Sequence, residues 1–322
     1  MEALKVTVFI ITYKRFDTIF STIKSALDQD YSQIELIISD DGSPNFPKQE
    51  IITFIEQQGN RSFLSFRVID NRENVGIVKH INKILKSATG HLFIPLAGDD
   101  CFFDRTVVSR IVKRYQSTHF HVLSTSRLCH RGNYLYLMPH YCFRKRIDKL
   151  MRTAKQQRKR FTECREMDFA SGSSMAYEAS FLKQMGYFDE KYLLWEDGPF
   201  INKVTKLGYP ITTAYDIISI RYDGNGISSV GNPIINKDLE VFNATDRRDD
   251  SDNFGWYHKR VLDYIERKFK PMNRIQRYLN RLVYFDVFIG RLIYLSFDYY
   301  AQFRDADCIK KISTSDNVLS CS

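Results

Sequence analysis

The chain has 322 residues, of which 43 % are hydrophobic and 26 % charged, with fifteen glycines and eight prolines. That composition belongs to a globular protein and excludes a disordered, collagen-like or linker-rich chain. The net charge of +9 is unevenly spread. Residues 144–160 carry nine Lys/Arg against Asp148, residues 256–281 carry eight against Asp263 and Glu266, and the remainder sums to −5. A mildly acidic globule with two basic patches suits anionic lipid, nucleic acid or a phosphorylated substrate, or simply two solvated helix faces.

The first hundred residues alternate strand and helix. Val6–Tyr13 reads as a buried strand, followed by apolar residues at helical spacing from Phe16 to Leu27. Ile34–Ser39 is a second strand, ending in the turn chemistry of Asp40-Asp41-Gly42-Ser43-Pro44. A helix around 47–58, a strand at Phe66–Ile69, a loop at Asn71–Gly76, a helix at Ile77–Ser87 and a strand at Leu92–Leu96 follow. The last strand runs into Gly98-Asp99-Asp100. The alternation predicts parallel β-α-β units, which bind ligands beyond the carboxyl ends of their strands.

After residue 100 the pattern loosens. A helix near 105–117, a strand near 119–126 and a turn at Gly132-Asn133 leading to Tyr134–Met138 are predicted. The basic segment 144–160 reads as partly helical, and 170–175 contains the small-residue stretch Ser171–Ser174. Helices at 181–186 and 200–207, a strand at 217–222 and a basic, aromatic helical region at 238–300 complete the pass. Leu282–Tyr300 is interrupted by Asp286, Arg291 and Asp298, so it is not read as a membrane span. The chain opens on a strand without the basic region and cleavage site of a signal peptide. The six cysteines contain no C-x-x-C pair and are expected as reduced thiols of a cytoplasmic protein.

No phosphate-binding glycine motif follows the first strand, which argues against a nicotinamide dehydrogenase and a P-loop enzyme. Asp99-Asp100 fits either a divalent cation site completed by substrate phosphates or a turn and helix cap. Glu196-Asp197, ahead of Gly198-Pro199, fits either a helix start or a general base held there. His119 and His121 lack a third ligand and read as structural.

The ordered set of segments resembles the family 2 glycosyltransferases of bacterial polysaccharide synthesis, of the capsular and O-antigen type. The matching elements are Val6–Arg15, Ile37–Ser43, Asn74-Val75-Gly76, Ala88–Asp100, Gly186–Asp189 and Trp195-Glu196-Asp197, within roughly residues 5–230. The resemblance implies a GT-A fold, an α/β architecture with a Rossmann-like, mostly parallel sheet. It implies a catalytic domain at 1–235, with a nucleotide half (1–100) and an acceptor half (101–235). A basic helical extension at 236–322, which could lie on a membrane, would follow.

The resemblance also implies roles. Thr12, Tyr13 and Arg15 would line the nucleotide pocket, Asp41 would accept a hydrogen bond from uracil, and Lys79 would lie near the base. Asp99 would hold the ribose side and Asp100, with Asp99, a manganese or magnesium ion. Asp197 would be the catalytic base, Glu196 its neighbour that positions acceptor or base, and Ser171–Ser174 would border the acceptor. The family's D-x-D motif has Ala97 at its first position here, so metal binding would rest mainly on Asp100. The loop Arg221–Ser229 holds no histidine as a late metal ligand. The implied partners are a UDP-sugar donor, a polyprenyl-diphosphate-linked saccharide acceptor and an anionic membrane surface at the inner face of the cell membrane. Nucleic acid is not expected. The competing readings are a sugar-nucleotide pyrophosphorylase, which would need a glycine-rich loop after the first strand, and a non-catalytic lipid- or nucleic-acid-binding protein.

Overall fold

The structure is a computed structural model that describes residues 3–58, 63–131, 134–139, 151–162, 170–222, 232–246, 255–290 and 292–293. Four parallel strands, β1 (Val6–Thr12), β2 (Ile34–Asp40), β3 (Phe63–Asp70) and β4 (Leu92–Ala97), stand in the order β3-β2-β1-β4. The helices that join them are α1 (Ile19–Leu27), α2 (Lys48–Gln57) and α3 (Ile77–Ser87). The α1 helix starts three residues later than the apolar spacing suggests. Phe16 instead packs on Phe46, and the Thr18 side chain bonds the Gly98 carbonyl.

Strand side chains alternate between faces, and both faces of this sheet are covered. Val6, Val8 and Ile10 of β1 join Ile19 and Ile23 of α1 and Ile51 and Ile55 of α2 in one core. Phe9 of β1 and Ile37 of β2 face the other way, onto Val78, Ile81, Ile84 and Leu85 of α3. Helices on opposite faces of β1 leave a crevice at its carboxyl end, between β2 and β4, where the strand order reverses.

Beyond residue 100 lie β5 (Cys101–Phe102), α4 (Val107–Thr118), β6 (Val122–Arg131), β7 (Tyr134–Met138), α5 (Ala154–Thr162), β8 (Met175–Glu178), α6 (Ala179–Gln184), α7 (Asp197–Lys206) and β9 (Thr212–Tyr222). The sheet continues from β4 as β8-β6-β9-β5, with β7 paired to β6. β8 runs antiparallel to β4 and to β6, whereas β6 and β9 are parallel. The strands β5 and β8 have two and four residues, too short for an alternation to register, and the sequence reading missed both. Gly132 and Asn133, residues 144–150 of the basic segment and the loop from residue 223 lie outside the described residues. The described part of that segment includes α5, which is docked by Gln157. Its amide donates to the Ile211 carbonyl and accepts from the Ile211 N–H, each at 2.8 Å.

The helices α8 (Pro233–Ala244), α9 (Trp256–Phe269) and α10 (Arg274–Val283) follow, and residues 285–290 are helical again. The expected boundary at 235 falls inside α8, whose Phe242 is fully buried in the α3-side core. The α9 and α10 region has its own small cluster of Val261, Tyr264, Tyr284 and Val287. No helix among the described residues is long and apolar enough to cross a membrane. Cys129 is a buried free thiol, but Cys101 is disulfide-bonded, which corrects the expectation of reduced thiols throughout. Spacing along the chain does not reveal which thiols the fold brings together.

Candidate active site

A cavity of about 370 Å³ occupies the crevice at the carboxyl ends of β1, β2 and β4. Thr12, Tyr13 and Arg15 from the end of β1, Asp41 after β2, and Asp99 and Asp100 after β4 all line it. So do Glu196 and Asp197 at the start of α7, almost a hundred residues further along the chain. The backbone at Lys14 has a φ of 58°, and its N–H donates to the Ser43 hydroxyl at 2.7 Å, tying the β1 end to the β2 end.

Two segments matched separately in the sequence interlock here. The Asp41 carboxylate accepts from the N–H groups of Val75 (3.2 Å) and Gly76 (3.0 Å), directly before α3. An anion is favoured at a helix N-terminus, and each carboxylate oxygen keeps a further acceptor position for a ligand. Burial pushes the Asp41 carboxyl up, against the pull of those two N–H groups. The close approach depends on Gly42, at φ +78°, where a Cβ would lie 2.4 Å from the Glu73 carbonyl carbon and 2.7 Å from Asn74 N. Both are backbone atoms and cannot swing away. Gly42→Ala is expected to destabilise the fold by at least ~2 kcal/mol in urea denaturation. A change below ~0.5 kcal/mol would show that the loops separate freely.

The β4 end is pinned through Gly98. Its carbonyl accepts the hydroxyls of Thr18 and Thr22, both at 3.0 Å, and its N–H donates to the Ile11 carbonyl at 2.9 Å. This presents Asp99 and Asp100 differently. Asp99 pairs with Arg15 at 3.1 Å near the rim, whereas Asp100 is 1 % exposed and lines the interior. Among the described residues no group of three or more His, Cys, Asp or Glu side chains could hold a metal ion. Asp100 nevertheless fits a hard divalent cation of the kind held by one carboxylate and completed by phosphate oxygens and water. Asp99, drawn to Arg15, fits that role less well.

The second acidic pair is built by three distant segments. Asp197 accepts from the N–H of Gly172 at 2.6 Å and from that of Gly198 at 2.7 Å. Gly172 opens the 3₁₀ turn Gly172–Ser174, and a Cβ on it would sit 2.4 Å from Glu196 Oε1. Arg127 of β6 donates to the hydroxyls of Ser171 (2.7 Å) and Ser173 (3.3 Å), and its charge favours ionised Asp197. From α8, the Asp238 carboxylate accepts from the N–H groups of Leu193, Leu194 and Trp195 at 2.7–3.1 Å.

Burial raises both carboxyls of the pair. Glu196 is pushed up to about 8, by desolvation first and then by the neighbouring Asp197 charge. Asp197 is also raised by burial, opposed by the Gly172 and Gly198 N–H groups and by Arg127. The Gly172 and Gly198 N–H groups and Arg127 favour the negative charge on Asp197, and burial favours the proton on Glu196 near neutrality. Between about 4.5 and about 8 the folded chain therefore holds a proton that the unfolded chain has lost, and stability falls as pH rises. The slope from this one proton is ~1.4 kcal/mol per pH unit. Glu196→Gln should flatten it, as read by denaturation at several pH values within the window. An unchanged slope would mean that Glu196 titrates normally.

Eight of the nine predicted site residues thus share one cavity. Lys79 is the exception, because Ile77, His80 and Ile81 occupy the face of α3 that lines the cavity and leave Lys79 exposed. His80 stands in that region instead, bonded to the Ser39 hydroxyl at 2.7 Å and held neutral by burial, which pushes it down to about 4. Sequence reasoning also missed Arg127 and Asp238, since no local motif marks them. Ser171 and Ser173 line the cavity, whereas Ser174 is buried. His119 and His121 are structural. His119 ends α4 with a φ of 49°, and His121 pairs with Glu178 at 2.6 Å while stacking on Phe181.

The structure is an open α/β sheet with carboxylates at the carboxyl ends of its parallel strands and a second acidic pair lining the same cavity. Residues 7–186 match the model of glycosyl transferase family 2, more than half of the chain, and the protein belongs to that family. It is 27 % identical over 124 residues to EpsE of Bacillus subtilis (strain 168), a glycosyltransferase by assignment, and the match spans 38 % of this chain and 43 % of EpsE. Its fold is similar to that of a mannosyltransferase from Pyrobaculum calidifontis in complex with GDP-Man and Mn2+ (TM-score 0.55, 18 % identity, 77 % of this chain and 65 % of that one). It is also similar to S. aureus TarS residues 1–349 in complex with UDP-GlcNAc (TM-score 0.51, 16 % identity, 80 % of this chain and 78 % of that one). These likenesses establish the GT-A fold.

Proposed function

We propose that the protein is an inverting glycosyltransferase. In this reading it moves a sugar from a nucleotide-sugar donor, UDP-linked, to a hydroxyl of a lipid-linked saccharide in surface polysaccharide synthesis. The observation that carries the proposal is the meeting of Asp41, Asp99 and Asp100 with Asp197 on one cavity, the first three from strand ends and the last from a helix start. A glycine-rich loop after β1, which a pyrophosphorylase would need, is absent from Thr12-Tyr13-Lys14-Arg15.

The mechanism follows from the ionisation of the acidic pair. An acceptor hydroxyl is a poor nucleophile near neutral pH, and a carboxylate within hydrogen-bond reach takes its proton as the new bond forms. Asp197 is the anion of the pair and serves as that base. Protonated Glu196 cannot accept a proton and instead donates a hydrogen bond to acceptor or base. The turn at Ser171–Ser173, held by Arg127, borders the acceptor. On the donor side, Asp41 and neutral His80 face the base, and Thr12, Tyr13 and Arg15 the nucleotide. Residues before 101 thus serve the donor and those after it the acceptor, with the catalytic unit extending through α8. A divalent metal held by Asp100 would supply countercharge for the leaving diphosphate. One base and no protein nucleophile make a single in-line displacement, so the anomeric centre inverts.

Calorimetry of UDP binding, with and without manganese, tests the donor side. Manganese-dependent binding that weakens at least ~10-fold in Asp100→Asn is expected, from loss of a charged ligand. No UDP binding under any condition would overturn the donor assignment. Tighter binding of GDP than of UDP would overturn the uracil reading alone.

A further inference from the structure

We propose that the outward face of α10 is a docking surface for an anionic phospholipid bilayer. The helix is oriented the wrong way round for water. Its Asn280 is 8 % exposed and faces the protein, while Ile275, Tyr278, Leu279, Leu282 and Phe285 are each 51–70 % exposed. Ile275, Tyr278, Leu279 and Leu282 stand at i, i+3, i+4 and i+7 and form one stripe along α10, and Phe285 follows just past the helix end. A soluble surface helix shows the reverse arrangement, and a contiguous exposed apolar stripe marks a docking site.

The orientation is held from behind. Just past α10, Tyr284 and Val287 pack against Val261 and Tyr264 of α9. Arg260 bonds Asp286 at 2.9 Å and lies over the Tyr284 ring, with Arg267 over the same ring. Asn273 and Gln276 close the N-terminus of α10 with a reciprocal capping box. The helix therefore cannot roll its leucines inward without breaking these contacts.

Charge selects the occupant. Arg274, Arg277 and Arg281 run along one border of the stripe, α10 contains no acid, and exposed Lys270 precedes it. Asp286, just beyond the helix, is neutralised by Arg260. An apolar stripe edged by arginines matches the acyl and headgroup layers of an anionic leaflet. A second copy of the chain would bring like charges together at the same border. Nucleic acid would leave the apolar stripe in water. Ten residues of helix span about 15 Å, so α10 lies in the interface plane rather than crossing it. The α9 helix packs on α8, whose Ile234 and Ile235 line the cavity, so the docking face connects to the reaction site. Only that connection's purpose rests on the reading of a lipid-borne acceptor; the docking itself does not.

The test is co-sedimentation of the full chain with phosphatidylcholine vesicles, with and without phosphatidylglycerol. Binding to the anionic vesicles that weakens with added salt is expected. Leu279→Ser with Leu282→Ser should lower vesicle affinity by on the order of tenfold or more. Arg274→Glu with Arg277→Glu should remove the preference for anionic lipid. All four positions are exposed, so both variants should keep the wild-type Tm and UDP affinity. Failure of wild type to bind anionic vesicles, or full binding by the leucine variant, would overturn the proposal. So would a lipid-free dimer that the leucine variant converts to monomer, which would assign the face to a second copy. Loss of UDP binding with vesicle binding intact would sink the donor reading and leave this one standing.

Discussion

Asp197→Asn is expected to lower kcat by about 10³-fold while leaving UDP affinity within about twofold of wild type. The substitution is nearly isosteric and keeps an oxygen for the Gly172 or Gly198 N–H, so the α7 start should survive. It removes the charge that, in the proposed mechanism, takes the acceptor proton. Glu196→Gln is the control, because in the proposed mechanism the raised Glu196 carboxyl is protonated near neutrality and is not the base; its loss should be smaller, about 10-fold. If Asp197→Asn retains full transfer activity, or if the two losses are reversed in size, the base is not Asp197. Paired measurements of kcat and KM with calorimetric UDP binding separate loss of chemistry from loss of donor.

Asp238→Ala should cost about 3–5 kcal/mol of stability and lower kcat as well. One buried carboxylate from α8 accepts three consecutive backbone N–H groups, those of Leu193, Leu194 and Trp195. Without it the donors directly before Glu196 and Asp197 lose their acceptor in a partly dry site. One helical turn later Phe242 meets the Trp195 ring edge-on at 5.1 Å, so the same helix also packs the loop. Asp238→Asn keeps one acceptor oxygen and should fall between wild type and alanine. Stability of the alanine variant within ~1 kcal/mol of wild type would show that water replaces the carboxylate at little cost.

The legibility of the site followed the range of its contacts. Asp41, Asp99 and Asp100 stand at the ends of strands whose apolar runs are read locally, so their convergence followed from parallel pairing alone. Lys79 lies outside the cavity by a single helical step, since about a hundred degrees of rotation separates it from His80, which lines it. Arg127 sits within a strand whose flanking sequence gives no hint of a serine turn forty-four residues away. Asp238 reads as one acid in a basic helical region until the fold sets it beneath the loop at 193–195. That α8 packs into the α3-side core through Phe242, across the expected boundary at 235, is likewise a matter of contacts and not of composition.

By itself the sequence determined the alternation of strand and helix, the parallel half of the sheet and the acidic turns at its carboxyl edge. These depend on periodicity and turn chemistry, which act within a few residues. Only the tertiary structure biases the charge within the 196–197 pair, because desolvation and the N–H donor of residue 172 act on it from outside the local sequence. It also decided which side of α10 faces outward. Amphipathic spacing defines a face, but only packing against α9 determines whether that face meets the protein or the surroundings.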